Sequence, residues 1–296
     1  MLKKILVVLL SALMLVGCGS KVNEDAITVV DGDYAEMNLA AQMAKMLIEE
    51  YTEYDVEILP HMAYALSFDE LKRSKVDILS SYDGSLLSTF LHIDPQEVPE
   101  DQTLYDYANE MAAPVNVKML DKWGHQNTFV AATTQEVAAK YNLKTISDLR
   151  PVANELSFAA EHSFFEEEGT VRFKPFTKFY DLDFGKFNSI DIGLKFTGLD
   201  SGNMDVTLVN GSDGLNRKYD VFTLEDDLNF FPEYYAVYFV RMDLEDEYPG
   251  VEAALNKISG IFTEEKMMQM NYEVDVLSES PEEVMRNFLT NEGLLK

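Results

Sequence analysis

Short apolar segments alternate with helical ones along this chain, and the alternation runs through twice. Ala26–Val30, Tyr54–Leu59 and Val76–Leu79 have the length and apolar character of strands. The stretches between them are helical: in Glu36–Tyr51, Leu39, Met43, Met46 and Leu47 recur on one face, and Phe68–Ser74 forms a shorter helix. Ser85–Leu91 and Leu104–Met111 read as helical, and Val115–Leu120 as extended. The pattern then restarts, with a strand at Phe129–Ala132 and a helix at Thr134–Tyr141 capped by Thr133 or Thr134. A short helix from Ser147, a strand at Leu156–Ala160, a helix at Ile192–Asp200 and the apolar run Met204–Val209 follow. Tyr219–Leu224 and Ala236–Arg241 are extended. The remainder is helical over Val251–Phe262, Glu264–Tyr272 and Pro281–Leu289, with Pro281 in a first turn, where its missing N–H costs nothing. Such alternation argues for an α/β fold with mostly parallel sheets. No internal repeat is legible.

One cysteine is present, so disulfides cannot hold the fold and a packed core must. That residue, Cys18, follows Leu15-Val16-Gly17, which resembles a bacterial lipobox. Lys3 and Lys4 precede an apolar run, Ile5 to Val16, that is short of the roughly 20 residues a spanning helix needs. The expected reading is a lipoprotein signal over residues 1–17, with Cys18 as the lipidated residue and a polar tether over 18–26. Stable anchoring by acyl chains takes two or more of them.

About 275 residues remain, near the size at which one core divides into two domains. The net charge of −28 excludes nucleic acid as a partner, since phosphate binding needs basic patches. An acidic field also favours cationic solutes at a cleft. His61, His92, His125 and His162 show no metal-ligand spacing, and no nucleophile elbow or glycine-rich phosphate loop is present. Carboxylates are so abundant that an acidic pair carries no weight. No enzyme activity and no cofactor are expected.

Five segments, in order, resemble the substrate-binding proteins for glycine betaine, carnitine and choline. Asp77-Ile78 with Ser81-Tyr82-Asp83-Gly84-Ser85-Leu86-Leu87 is similar to that family's "D-[IL]-x-x-E-Y-T-G-T-x-L". Lys140 to Leu149 resembles "K-Y-N-L-K-T-I-S-D-L", and Asp191 to Lys195 resembles "D-I-G-L-K". Leu224-Glu225-Asp226-Asp227 with Phe230-Phe231-Pro232 and Tyr234-Tyr235 resembles "L-E-D-D-x-x-F-F-P-x-Y-Y". Asn271-Tyr272, Val274-Asp275 and Pro281-Glu282 resemble the C-terminal signature. The resemblance implies a two-lobed type II periplasmic-binding-protein fold with two hinge crossings. Lobe 1 would comprise 27–120 and 226–296, and lobe 2 would comprise 121–225. It implies an extracellular binding component that delivers a small cationic solute to an ABC permease and its ATPase. A surface sensor or adhesion lipoprotein that kept the fold is the alternative, as is import of another cationic amine.

A quaternary ammonium spreads its charge over methyl groups, and aromatic faces bind it by cation–π attraction of about 0.5–2 kcal/mol per contact. The family builds such a cage from tyrosines. Tyr82 and Tyr234 match two of them, Ser85 keeps a hydroxyl of the first motif, and Phe129 with Asn127 falls where the family has "[ND]-x-Y". Asn210 takes the place of a further cage tyrosine, so one wall is missing or is supplied from elsewhere, with Tyr64 and Tyr235 as candidates.

Three departures bear on the ligand. Asp31 to Met37 stands against "S-K-x-F-T-E-Q", so Gly32 and Met37 replace a Lys and a Gln, and Glu166-Glu167-Glu168 stands where an Arg is usual. Those donors suit a carboxylate. Their loss, and the like charge a carboxylate would meet if Glu167 faces inward, imply a cation without one, choline ahead of glycine betaine or carnitine.

Overall fold

In a computed structural model, residues 26–166 and 170–296 are described. The signal segment, Cys18, Glu167 and Glu168 lie outside the described residues.

Ten strands form two five-stranded sheets. The first contains β1 (Ile27–Val30), β2 (Val56–Leu59), β3 (Ile78–Tyr82), β4 (Val117–Met119) and β10 (Ala236–Arg241), in the order β2-β1-β3-β10-β4. The second contains β5 (Phe129–Thr134), β6 (Ser157–Glu161), β7 (Lys186–Ile190), β8 (Val206–Asn210) and β9 (Val221–Leu224), in the order β7-β6-β8-β5-β9. Within each sheet four strands share one direction, and one strand that has crossed over (β10 or β5) runs antiparallel to its two neighbours. Each sheet packs its own apolar cluster, so the chain has two lobes. The longest helix, α1 (Ala35–Tyr51), buries Leu39, Met43 and Leu47 against the first sheet, and the C-terminal helix Pro281–Asn291 packs on α1.

The segments between β4 and β5 and between β9 and β10 cross from one sheet to the other. They are bonded to each other: Asn127 N–H donates to the Tyr234 carbonyl at 3.0 Å, and Trp123 N–H to that of Ala236 at 3.0 Å. Trp123 is fully buried there against Tyr238 and Phe262.

The two sheets repeat one design, although no repeat is legible in the sequence. Asp77, just before β3, accepts from Thr28 N–H and Oγ1 on β1, each at 2.7 Å. Asp205, just before β8, accepts from Ser157 N–H at 2.8 Å and Oγ at 2.6 Å on β6. The matching strands thus carry matching carboxylate clamps.

Two elements escape the sequence pattern. β7 is exposed along almost its whole length, so it lacks the alternation that marks a half-buried strand. Along the chain the helix α2 (Phe173–Tyr180) connects β6 to β7, which pair directly. The expected helix Val251–Phe262 stops early: an α-turn ends at Leu255, a 3₁₀ turn follows, and Gly260 leaves with φ 70°. Of the two cap candidates, Thr134 caps, accepting from Val137 N–H at 3.2 Å, while Thr133 is buried in β5.

Candidate functional site

The C-terminal ends of β3 and β8 face one cavity of about 380 Å³, the usual position for a ligand in open α/β sheets. Tyr82 ends β3. Asp83 follows it and pins the β10 lead-in, accepting from Tyr235 N–H at 2.9 Å and Gly84 N–H at 2.8 Å. That places the Tyr234 ring on Tyr82, stacked at 4.6 Å with 22° between the planes. A Cβ on Gly84 would stand 2.6 Å from the Tyr234 ring, so only glycine lets the ring lie there. The Ser85 hydroxyl bonds the Tyr234 hydroxyl from behind and does not line the cavity.

A third tyrosine joins them. Tyr34 lines the cavity just ahead of α1, and its hydroxyl lies 3.1 Å from that of Tyr82. Tyr82 donates to Glu36 Oε1 at 2.8 Å, so it accepts from Tyr34 and from Asn127 Nδ2 at 2.7 Å. Burial raises the Tyr82 hydroxyl well above its usual range, and the Glu36 charge adds to this; burial also raises Tyr234. Both remain neutral phenols with intact π-faces.

Glu36 is the centre of the polar network. It is 1% exposed, yet every lone-pair direction is met. His125 Nε2 lies 2.9 Å from Oε1, the Ser212 hydroxyl donates to Oε2 at 2.7 Å, and Asn271 Nδ2 donates to it at 3.2 Å. Burial by itself would push the Glu36 carboxyl up, but the His125 ring and these hydrogen bonds outweigh it and hold it below the usual range. Glu36 is therefore a structural anion that joins both lobes.

The far side of the cavity comes from β8 and two helices, α3 (Gly214–Lys218) and α4 (Glu264–Asp275). Asn210 ends β8. Asp213 caps α3, accepting from Leu215 N–H at 2.9 Å. Burial raises its carboxyl, partly relieved by that bond and by Lys195. Asp275, the last residue of α4, is raised by burial and by the Asp213 charge. Among the described residues no lysine or arginine lines this cavity.

A second cavity of about 310 Å³ shares Asn127, Asn210 and Tyr234 with the first and is walled by Phe129, Val171, Phe231 and Pro232. Of the residues expected from sequence, Tyr82, Asn127, Asn210 and Tyr234 thus line one cavity, and Phe129 lines its apolar neighbour, 6.2 Å from the Phe231 ring. Tyr64 is turned to Asp33 and lies outside both, and the Tyr235 ring already carries the Lys122 ammonium at 4.0 Å. A tyrosine not expected from sequence, Tyr34, lines the same cavity as Asn210. Sequence reasoning missed Tyr34, Glu36, Ser212, Asp213, Asn271 and Asp275. Four of them, Tyr34, Glu36, Asn271 and Asp275, stand inside segments that carry the resemblance, where they read as family marks and not as contacts.

Glu166, where the resemblance puts an Arg, lies 4.0 Å from the Arg172 guanidinium. Met37 packs over Gly32, and Asp31 closes that loop on Gly32 N–H and Asn38. Neither Gly32 nor Met37 lines the cavity; from this loop only the Tyr34 hydroxyl reaches it.

A family model, the substrate-binding domain of ABC-type glycine betaine transport systems, matches residues 25–291. The chain belongs to this family. The carnitine transport binding protein OpuCC of Listeria monocytogenes is 32% identical over 282 residues, 95% of this chain and 91% of that protein. The ergothioneine transport permease/ergothioneine binding protein EgtU of Helicobacter pylori (strain G27) is 31% identical over 225 residues, 76% of this chain and 40% of that protein. A crystal structure described as a glycine betaine/carnitine/choline ABC transporter superposes with a TM-score of 0.83 at 25% identity, covering 91% of this chain and 100% of that one. As a family member, the protein is a substrate-binding component of an ABC importer for solutes of the betaine, carnitine and choline type, and not an enzyme. Such components work outside the cytoplasmic membrane with a permease and an ATPase. Among the described residues no helix is long and apolar enough to cross a membrane.

Proposed function

We propose that the cleft takes a small quaternary ammonium without a carboxylate, choline first, through Tyr82, Tyr234 and Tyr34, with Asn127, Asn210 and Phe129 at its edge. The carrying observation is the charge of the lining: three tyrosines and three carboxylates, with no lysine or arginine among the described residues. A ligand carboxylate entering here meets like charge and no ionic partner, which costs far more than a cation–π contact returns. Asn127 lines the cavity and its buried Oδ1 has no partner, which makes it the acceptor in reach of a choline hydroxyl once the side chain adjusts. Ser85 acts by holding Tyr234. Calorimetric titration decides the reading. Choline should bind at least ten-fold tighter than glycine betaine, about 1.4 kcal/mol, and the reverse order overturns it.

A larger methylated amine is the second reading, favoured by the apolar cavity beside the cage. The relative named for ergothioneine is in keeping with this reading.

In this reading lobe 1 (27–120 and 226–296) and lobe 2 (121–225) close on the solute. Cys18 holds the protein on the extracellular face by its lipid and leaves it free to dock on the permease. Cys18→Ala should release the protein from membranes or leave the precursor uncut. An Ala variant that matures and fractionates like the parent refutes the anchor.

A further inference from the structure

The tyrosines account for one end of the cavity. The other end holds Asp213, Asp275 and Asn271, all of which line it. The orientation of the Asn271 amide is settled by its partners: its nitrogen donates to Glu36 Oε2 at 3.2 Å and to the Ser212 carbonyl at 2.8 Å. Its oxygen is therefore the free atom, and it is buried with no hydrogen-bond partner in a residue only 4% exposed. Native structures leave few such atoms unsatisfied. The residues at this end thus carry two carboxylates and an amide oxygen without a donor, all acceptors. Lys195, whose charge acts on Asp213, donates to Glu161 at 2.6 Å.

Asp275 is also badly placed for stability. It is the last residue of the twelve-residue helix α4, where the helix dipole disfavours a carboxylate, and Asp213 repels it. Nothing within the described residues compensates by an ion pair. A group kept at a cost to the fold is expected at a binding site.

We infer that Asp213, Asp275 and the Asn271 amide oxygen form a second subsite, for a protonated amine carried on the same solute whose methylated ammonium sits against Tyr82 and Tyr234. The inference rests on the quaternary-ammonium reading and narrows it to solutes with a donor cation at the far end. Donor number decides between candidate groups. A hydroxyl brings one hydrogen, a trimethylammonium none, and a primary ammonium three, one for each acceptor here. Among the described residues no group of three or more His, Cys, Asp or Glu side chains is placed to hold a metal ion.

The test is titration of a matched pair, (3-aminopropyl)trimethylammonium and (3-hydroxypropyl)trimethylammonium, at neutral pH and about 0.15 M salt. That salt screens the general attraction of an acidic surface for a dication. The amino probe should bind at least ten-fold tighter than the hydroxy probe. Asp275→Asn should abolish that preference without lowering the melting temperature of the free protein. Tyr234→Leu should weaken both probes by the same factor. Asp213→Asn, which keeps the helix cap, should also abolish the preference and decides the matter should Asp275→Asn not fold. A hydroxy probe that binds as tightly as the amino probe overturns the inference and leaves the quaternary-ammonium reading standing. A preference that survives both variants does the same. Failure of both probes to bind overturns the quaternary-ammonium reading, and the inference falls with it.

Discussion

Asp83 shows how a single residue at the edge of the cleft trades stability for position. It has no exposed surface, and burial raises its carboxyl to about 6, against an opposing pull from Lys122 at 3.7 Å and the Gly84 and Tyr235 N–H groups. A carboxyl whose folded value lies above its unfolded value of 3.8 gives its full stability below about pH 3.8 and loses it as pH rises through about 6. At neutral pH it is therefore a cost. Asp83→Asn keeps the acceptor for both N–H groups and should stabilise the protein at pH 7 by on the order of 2 kcal/mol, with no gain at pH 3.5. Urea midpoints at the two pH values measure this. The cage tyrosines divide differently. Tyr82→Phe keeps the π-face but strands Glu36 and Asn127, so it should lower stability by about 1–3 kcal/mol while choline affinity changes less. Tyr234→Leu removes a face, and choline affinity should fall by about 2- to 30-fold, the range of one cation–π contact. Equal losses of affinity in the two variants would contradict this division.

At the scale of elements, the approach of α3 to α4 fixes the acidic end of the cavity. A Cβ on Gly214 would lie 2.5 Å from Tyr272 N and 2.7 Å from the Asn271 carbonyl carbon. Those atoms are helix backbone, so no rotamer change relieves the clash. Gly214→Ala should destabilise by about 1–3 kcal/mol and weaken the ligand by shifting Asn271 and Asp275, measured by thermal melts and calorimetry on the same sample. Unchanged affinity would separate α4 from the site. Elements also differ in how clearly they announce themselves. α1 is plain in the spacing of Leu39, Met43 and Leu47 because one face is buried throughout. β7 carries no such mark because almost none of it is buried, and α2 supports it through Phe173, whose ring lies 4.6 Å from that of Phe187.

For the molecule as a whole, the bond from Ser212 to Glu36 joins residues of different lobes at 2.7 Å with both side chains buried. An arrangement that exists only while the lobes are together biases the closed state by its own free energy. Ser212→Ala removes one charge-assisted hydrogen bond and should cost about 1.5–3 kcal/mol of that bias. Choline affinity should fall about ten-fold or more, although Ser212 lies on the polar and not the aromatic side. Small-angle scattering should show the ligand-induced decrease in radius of gyration displaced to higher choline concentration. A decrease at the same concentration as the parent's would mean that the bond does not bear on closure.

The class of fold, the family and four of the cavity residues were legible in sequence because they rest on local order: strand and helix periodicity, motif spacing and the aromatic residues within motifs. Periodicity reports which face of an element is buried, so elements without a buried face stayed silent. The repeat of the two sheets was not legible, because what repeats is a contact, Asp77 to Thr28 and Asp205 to Ser157, across 49 and 48 residues, with no matching run of letters. The role of Glu36 and the acidic end likewise came only from tertiary structure. With Asp and Glu at 52 positions, no sequence reading picks out Asp213 and Asp275. Folding brings these two to one cavity beside an amide oxygen that has no donor, and only that juxtaposition gives them chemistry.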